Sequence, residues 1–289
     1  MISDFASIAV VGGSGLYSMP ELTDTLEVQI ETPFGNPSAP IIIGTLEGIR
    51  VAFLARHGIG HTLAPSEVPY RANIFALKKV GVERVISISA CGSLRSDYAP
   101  GDIVIPDQLF DHTTGRARSF FGNGLVGHIS VANPFCEDLS RLLVKAVIDA
   151  GAVVHSGGSF ITIEGPRFST RAESNLYRSW GMSIIGMTAC PEAFLAREAE
   201  MCYSTMAHVT DYDVWHVEEK PVTVEMVIQT LNKNTATAQM AIRNLVTHLP
   251  ATRLCDCGNS LATALITDRK MVPPDSISSL KPLIGKYLS

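Results

Sequence analysis

The sequence predicts an α/β fold, a single domain built on a central mixed β-sheet flanked by helices. Three observations predict it. Short apolar runs rich in β-branched residues alternate with helix-patterned stretches. Glu47-Gly48 falls between two of those runs and predicts a hairpin, so the sheet is mixed rather than purely parallel. At 289 residues, 46% hydrophobic and 18% charged, the chain suits a full α/β core and not more than one domain plus appendages.

Strands are expected over 7–11, 41–43, 50–55, 84–90, 102–106, 159–163, 183–187 and 202–210. A first helix is expected over 66–80, closed by Gly81. Asn133-Pro134 supplies an N-cap and a first-turn proline for a second, which Gly151 closes. Thr170 with Glu173 fits a capping box, and Gly181 ends that segment. A long amphipathic pattern covers 223–248, with apolar residues at Val224, Val227, Ile228 and Leu231. No internal repeat or low-complexity linker appears. After Pro250 the pattern dissolves into a mixed tail with Pro273-Pro274. The expected division is therefore a domain over 1–250 and a C-terminal extension over 251–289, packed on or beside it.

Composition narrows the function. A formal net charge of -5 argues against a general nucleic-acid binder, which needs a basic footprint. No run of about 18 apolar residues suggests a membrane span. The first residues lack the basic start and apolar core of a signal peptide, so the expected location is the cytoplasm. Six cysteines are too sparse for a disulfide scaffold at this length. Cys255-Asp256-Cys257 is a single Cys-x-Cys with no partner at zinc-like spacing, so no metal site is expected and the thiols read mostly as buried. The alternative is that Cys255 and Cys257 pair with Cys136, Cys190 or Cys202 and fasten the tail, although cytosolic disulfides are rare.

Several strands end in small donors, the place where α/β sheets tend to hold ligands. The first runs into Gly12-Gly13-Ser14-Gly15, where glycines let amides turn toward an anion and Ser14 adds a hydroxyl. A dinucleotide fingerprint fails here, because the third glycine position is Ser18 and Pro20 follows. A later strand ends in Arg56-His57-Gly58, which offers a guanidinium fork and an imidazole. His57 and His61 have metal-like spacing, but Gly58 and Gly60 break any helix between them. Ser89-Ala90-Cys91-Gly92-Ser93 reads as another glycine-containing turn, and Thr188 follows the 183–187 strand. Together these residues can hold an anion of phosphate size without a metal.

The last strand ends in Asp211-Tyr212-Asp213. Residues two apart share a face of an extended chain, which sets the carboxylates together. Close like charges do not both ionise with ease, so one pKa is expected to rise and one acid to keep its proton. Such a pair suits a purine leaving group, with an acid near N7 and an acceptor for a 6-amino group. Taken without context, two solvated acids in a turn is the plainer reading.

Context comes from a resemblance. Gly12-Gly13-Ser14-Gly15, Ala55-Arg56-His57-Gly58, Ala90-Cys91-Gly92-Ser93-Leu94, Gly101-Asp102-Ile103-Val104-Ile105, Glu164-Gly165-Pro166-Arg167-Phe168-Ser169, Met187-Thr188 and Thr210-Asp211-Tyr212-Asp213-Val214-Trp215 occur in that order. In this order they closely resemble the purine nucleoside phosphorylase family, and within it the branch acting on 5′-methylthioadenosine. The resemblance runs from about Ile8 to Leu249. It implies the nucleoside phosphorylase fold and phosphorolysis of 5′-methylthioadenosine to adenine and 5-methylthioribose 1-phosphate, in purine and methionine salvage. It implies that Ser14, Arg56, His57, Ser89, Ala90 and Thr188 bind inorganic phosphate, a co-substrate, with no cofactor. Phe168 would stack on the purine, and the Met187 backbone would hold the ribose. Asp211 and Asp213 would read the adenine edge, supported by Ser169, with Asp211 as the general acid. Val224 and Val227 would line the 5′ pocket, and His128 would reach it from a neighbouring subunit of a homotrimer, or a dimer of trimers. Ser14 and Ser89 stand where threonine is common, which keeps the hydroxyl. The tail with its Cys-x-Cys is less typical. Alternatives are a phosphorylase for 6-oxopurine nucleosides or methylthioinosine, which would carry Asn where Asp211 stands, a hydrolase, and a non-catalytic purine-binding module.

Overall fold

The computed structural model describes residues 6–216 and 224–288, with the side chains of all of these except 14, 17, 224 and 226–233. Among the described residues eleven strands form one mixed sheet. Its main path runs β2 (Thr23–Val28), β3 (Ile41–Leu46), β4 (Ile49–Ala55), β1 (Ile8–Gly12), β5 (Arg84–Ser93), β10 (Ile184–Gly186), β9 (Ser159–Ile163) and β7 (Gln108–His112). From β5 a branch leaves through β11 (Cys202–Asp211) to β6 (Ile103–Ile105) and β8 (Val154–Ser156). The expected hairpin joins β3 to β4 with Leu46 opposite Ile49. Glu47 at φ 50 and Gly48 at φ 77 both take the left-handed conformation that a tight two-residue hairpin requires.

The sheet is mixed as expected: β1, β4, β5 and β11 run parallel, while β2–β3, β3–β4, β5–β10 and β6–β11 are antiparallel. Its centre is apolar because both faces are covered. Ala9, Val11, Ala52 and Leu54 face one buried cluster, and Ile8, Val10, Val51 and Phe53 face the other. That division is the two-residue period of a strand with core on both sides.

The helices are α1 (Tyr70–Lys79), α2 (Glu137–Asp149), α3 (Arg171–Ser179), α4 (Ala189–Glu198), α5 (Val224–His248), α6 (Pro274–Ser279) and α7 (Lys281–Leu288). At α3 the capping box is formed: Thr170 Oγ1 accepts from Glu173 N at 3.2 Å, and Glu173 Oε2 accepts from Thr170 N at 2.7 Å. Two helix starts fall later than the sequence suggests. Pro69 bars a helical conformation at Val68, so α1 begins at Tyr70 and not near Ser66. Phe135 and Cys136 are drawn into the core, and Cys136 N donates to Tyr203 O at 2.8 Å, which delays α2 past Asn133-Pro134.

The tail is woven into the domain. Val272, Leu280, Leu283 and Ile284 join the cluster containing Ile74 and Phe75, and Cys257 joins the one containing Leu139 and Met206. Glu200 anchors it, accepting from Leu261 N at 3.1 Å and pairing with Lys286 at 2.7 Å. Further along, Gly127 bridges to Leu265, and His128 N donates to Ala264 O at 2.8 Å. Among the described residues no helix is long and apolar enough to cross a membrane.

Candidate active site

Two adjacent parallel strands, β1 and β4, end side by side against the middle of a third, β5. Gly12 pairs with Ala55 and Val11 with Ser87, so the residues that follow β1 and β4 stand beside the second half of β5. Ser14, Arg56, His57, Ser89 and Ala90 all stand on this crest. Thr188 follows β10, whose Ile185 lies opposite Gly92 of β5. Ser14 opens a 3-10 turn, Ser14–Tyr17, and its side chain lies outside the described residues. Gly12 permits the crowding: a Cβ there would lie 2.5 Å from Leu16 Cδ1 and 3.1 Å from Ile88 O.

Arg56 differs from the free phosphate fork expected of it. It is fully buried and committed to the protein, with Nη1 donating to Ile88 O at 3.0 Å and Nη2 to Ser87 Oγ at 2.7 Å. Nε and Nη2 also engage both oxygens of Glu192, which takes a third donor from Tyr203 Oη at 2.8 Å. Burial alone would lower the Arg56 pKa, but the charge and hydrogen bonds of Glu192 more than offset it and hold the guanidinium above its ordinary value. Arg56 thus braces the strand ends, and the N–H of Nη1 not used by Ile88 O is what it has to offer a ligand.

His57 is tuned as well. Burial, then the neighbouring Arg56 charge, lowers its pKa to about 4. Its Nδ1 lies 2.9 Å from Leu63 O, and a carbonyl only accepts, so the proton of the neutral ring is on Nδ1. Nε2 is then an acceptor and not the donor expected from sequence. Ser89, half-buried, has a hydroxyl with no hydrogen-bond partner among the described residues. The buried Thr188 stands at the N-cap of α4 without a side-chain capping bond.

The second half of the site is built where β5 meets β11. The stretch Ser89 to Ser93, read from sequence as a turn, instead continues β5, because β11 and β10 pair with it there. A bulge between Val209 and Asp211 redirects the end of β11. Asp211 and Asp213 both come to rest on Gly92: a Cβ at that glycine would lie 2.9 Å from Asp211 Oδ1 and 3.3 Å from Asp213 Cβ. What meets the Asp211 carboxylate is the backbone of Asp213, whose N donates to Asp211 Oδ1 at 2.8 Å, rather than the second carboxylate expected beside it. The Asp213 pKa is raised, and the cause is burial rather than repulsion from Asp211, with Glu173 the only other acid contributing. Asp213 Oδ2 is buried with no partner among the described residues. The Thr210 hydroxyl has two acceptors, Asp211 Oδ2 at 2.6 Å and Cys91 O at 3.2 Å, and one proton to share.

Ser169 is buried, its hydroxyl likewise without a described partner, and the ring of Phe168 beside it is exposed. Met187 packs against Gly165, and its carbonyl accepts from Arg116 Nη1 at 2.7 Å. That leaves the other lone pair for a ligand. Arg116 also donates to Tyr70 Oη, Cys190 O and Glu164 O, which fixes the loops around the site. Arg116, Glu192 and Tyr203 were missed in the sequence: their partners lie 46 or more residues away or on another element, and no local motif marks them. His128 is exposed, and no hydrogen bond between described residues joins its ring to the cluster. Val224 opens α5 and Val227 follows one turn on, but their side chains lie outside the described residues.

Residues 7–247 match the model of the phosphorylase superfamily. The S-methyl-5′-thioadenosine phosphorylase of Koribacter versatilis is 51% identical over 282 residues, covering 98% of this chain and 97% of that protein. The enzyme of the same name from Chloroflexus aurantiacus is 53% identical, covering 98% of this chain and 99% of that one. A crystal structure of a methylthioadenosine phosphorylase from an Antarctic soil metagenomic library is similar at TM-score 0.91 and 46% identity, over 97% of this chain and 99% of that chain. Methylthioadenosine phosphorylase from Schistosoma mansoni, solved in complex with adenine, is similar at TM-score 0.84 and 35% identity, over 89% and 96%.

Proposed function

The chain belongs to the phosphorylase superfamily, among its S-methyl-5′-thioadenosine phosphorylases, and from that we propose that it cleaves 5′-methylthioadenosine with inorganic phosphate. The products are adenine and 5-methylthioribose 1-phosphate, and the setting is purine and methionine salvage. The observation that carries this reading is the convergence of Asp211 and Asp213 on Gly92, on the same strand that presents Ser89 and Ala90.

Cleavage builds positive charge on the ribose and negative charge on the purine. Phosphate on the crest stabilises the first. The Ser14, Ser89 and Thr188 hydroxyls and an Arg56 N–H donate to its oxygens, while neutral His57 accepts a hydrogen bond at Nε2 from the P–OH of hydrogen phosphate, which keeps its proton. A phosphate oxygen bonds to C1′ as the C1′–N9 bond breaks, and the bond's electron pair passes into the purine. Asp211 gives a proton to N7, a general-acid role worth ~10²–10⁴-fold. The Thr210 hydroxyl then turns from Cys91 O to the new Asp211 carboxylate and stabilises it. Asp213 faces the base edge, Ser169 supports it, Phe168 stacks on the ring, and Met187 holds the ribose. Fixing both reactants on one sheet edge supplies much of the remaining acceleration. These groups need no metal or organic cofactor for the chemical step.

We place the enzyme in the cytoplasm as a homotrimer, in which His128 of one subunit reaches the 5′ pocket lined by Val224 and Val227 of the next. The test follows adenine release from 5′-methylthioadenosine with and without phosphate. Release that needs phosphate and yields the sugar 1-phosphate supports the reading; robust release in phosphate-free buffer makes the protein a hydrolase.

A further inference from the structure

Four of the six cysteines, drawn from three separate stretches of sequence, meet at one point. The Sγ atoms of Cys136, Cys202, Cys255 and Cys257 all lie within 4.8 Å of one another, and Cys202 Sγ is 3.3 Å from Cys255 Sγ. Cys136 stands at the N-cap of α2, Cys202 begins β11, and the other two belong to the tail. The Cys-x-Cys that lacks a partner at local spacing thus gains two from the domain. Cys190 and Cys91 lie outside the group.

We propose that these four thiolates bind one structural zinc ion, which fastens the C-terminal tail to the domain. Four sulfurs about 2.3 Å from a tetrahedral zinc are about 3.8 Å from each other, which matches the spread of this cluster. A closed set of four sulfurs with no oxygen ligand selects a soft or borderline ion over magnesium or calcium. Two disulfides would need only two separate pairs, whereas here every one of the four sulfurs lies within 4.8 Å of the other three.

The surroundings carry the charge that such a centre needs. A tetrathiolate zinc site has a net charge of about −2. Arg197 Nη1 donates to Cys257 Sγ at 3.4 Å, and Cys136 heads a thirteen-residue helix whose N-terminal dipole favours an anion. Arg84, Asp138, Arg141, Lys145 and Arg253 line a cleft of about 290 Å³ that reaches Cys136, Cys202 and Cys255 and offers an entry path.

The full-length protein, purified without chelators, is tested by elemental analysis for zinc per chain and by thiol titration under denaturing, non-reducing conditions with chelator present. One zinc and six reactive thiols per chain is the expected result. Fewer than six thiols means disulfides and overturns the proposal. Six thiols with no zinc taken up by the reduced protein on incubation with zinc salt overturns it equally. The Cys255→Ser/Cys257→Ser double variant should lose the zinc and expose the tail to protease, while Cys190→Ser keeps both zinc and resistance. Should the double variant not fold, cobalt replacement in the parent decides: tetrahedral thiolate bands support the site, and a six-coordinate spectrum defeats it.

Discussion

Arg56 and Glu192 form a buried two-pronged ion pair, with Nε 2.7 Å from Oε2 and Nη2 2.9 Å from Oε1, at 2% and 1% exposure. The pair ties the end of β4 to α4 and, through Ser87 and Ile88, to β5. Removing either partner strands the other charge in the core, at about 3–5 kcal/mol. Glu192→Ala should therefore lower the melting temperature about as much as Arg56→Ala does. Arg56→Lys keeps the charge but not the fork, so its main effect should be a raised phosphate KM with little change in nucleoside KM. Thermal melts and two-substrate kinetics read this out; a lysine variant with parental phosphate KM removes Arg56 from the phosphate site.

Asp211 should decide the base. Its carboxyl can give one proton to N7 and accept from a 6-amino group, whereas against a 6-oxo purine acceptor would meet acceptor. Sites built on such bonds discriminate by up to about 10⁴–10⁵. Asp211→Asn should lose most activity on methylthioadenosine and gain relative preference for methylthioinosine. Thr210→Val, which deletes the hydroxyl shared between Asp211 and Cys91, should lower kcat while leaving KM near its parental value. The measurement is kcat/KM for both nucleosides. An unchanged ratio in Asp211→Asn would show that this residue does not read the base.

Val224 and Val227 belong to the long helix α5, and the proposed function sets their side chains, which lie outside the described residues, against the methylthio group. A 5′-hydroxyl placed there without its hydrogen bonds is penalised by about 1–3 kcal/mol. The enzyme should prefer methylthioadenosine to adenosine, and Val224→His should narrow that gap. Equal kcat/KM for the two nucleosides in the parent would remove these valines from the 5′ pocket.

His208 predicts an acid weakness. It is buried in β11, neither ring nitrogen has a partner among the described residues, and burial lowers its pKa to about 4 from 6.5. The unfolded chain therefore takes up a proton at a higher pH than the native one. The stability it confers is present above about pH 6.5 and is lost as pH falls toward 4, up to ~3 kcal/mol. His57 acts in the same direction, and the raised pKa of Glu198, about 7, in the opposite one, so the comparison is made within one background. His208→Leu should flatten the drop in melting temperature between about pH 7.5 and about pH 5. Parallel pH profiles for parent and variant would count against His208.

What the sequence disclosed was what local chemistry writes. The Glu47-Gly48 hairpin, the Thr170/Glu173 box and the apolar central strands each depend on neighbours a few residues apart, and each formed. The strands that escaped notice, β2, β7 and β8, lie at sheet edges or run only three residues, where half-exposed side chains blur the pattern. At the site, the residues on strand ends were legible, because a glycine or hydroxyl after an apolar run is a local signal. Their supports were not. Glu192 is 136 positions from Arg56, and Cys255 is 53 from Cys202, distances that only the folded sheet closes. The tautomer of His57 likewise depends on the carbonyl of Leu63, which no spacing rule marks.

Glycine is the one residue without a Cβ, so every missense change in the codon for residue 92 puts a carbon where Asp211 and Asp213 now meet. Position 92 therefore has no conservative replacement. In a saturation library selected for growth on methylthioadenosine as the only purine source, its column should be empty apart from glycine. The codon for Gly13 lies under no such constraint, since nothing stands within 4 Å of a carbon added there. The capacity of this gene to drift is set, at residue 92, by the size of a single methyl group.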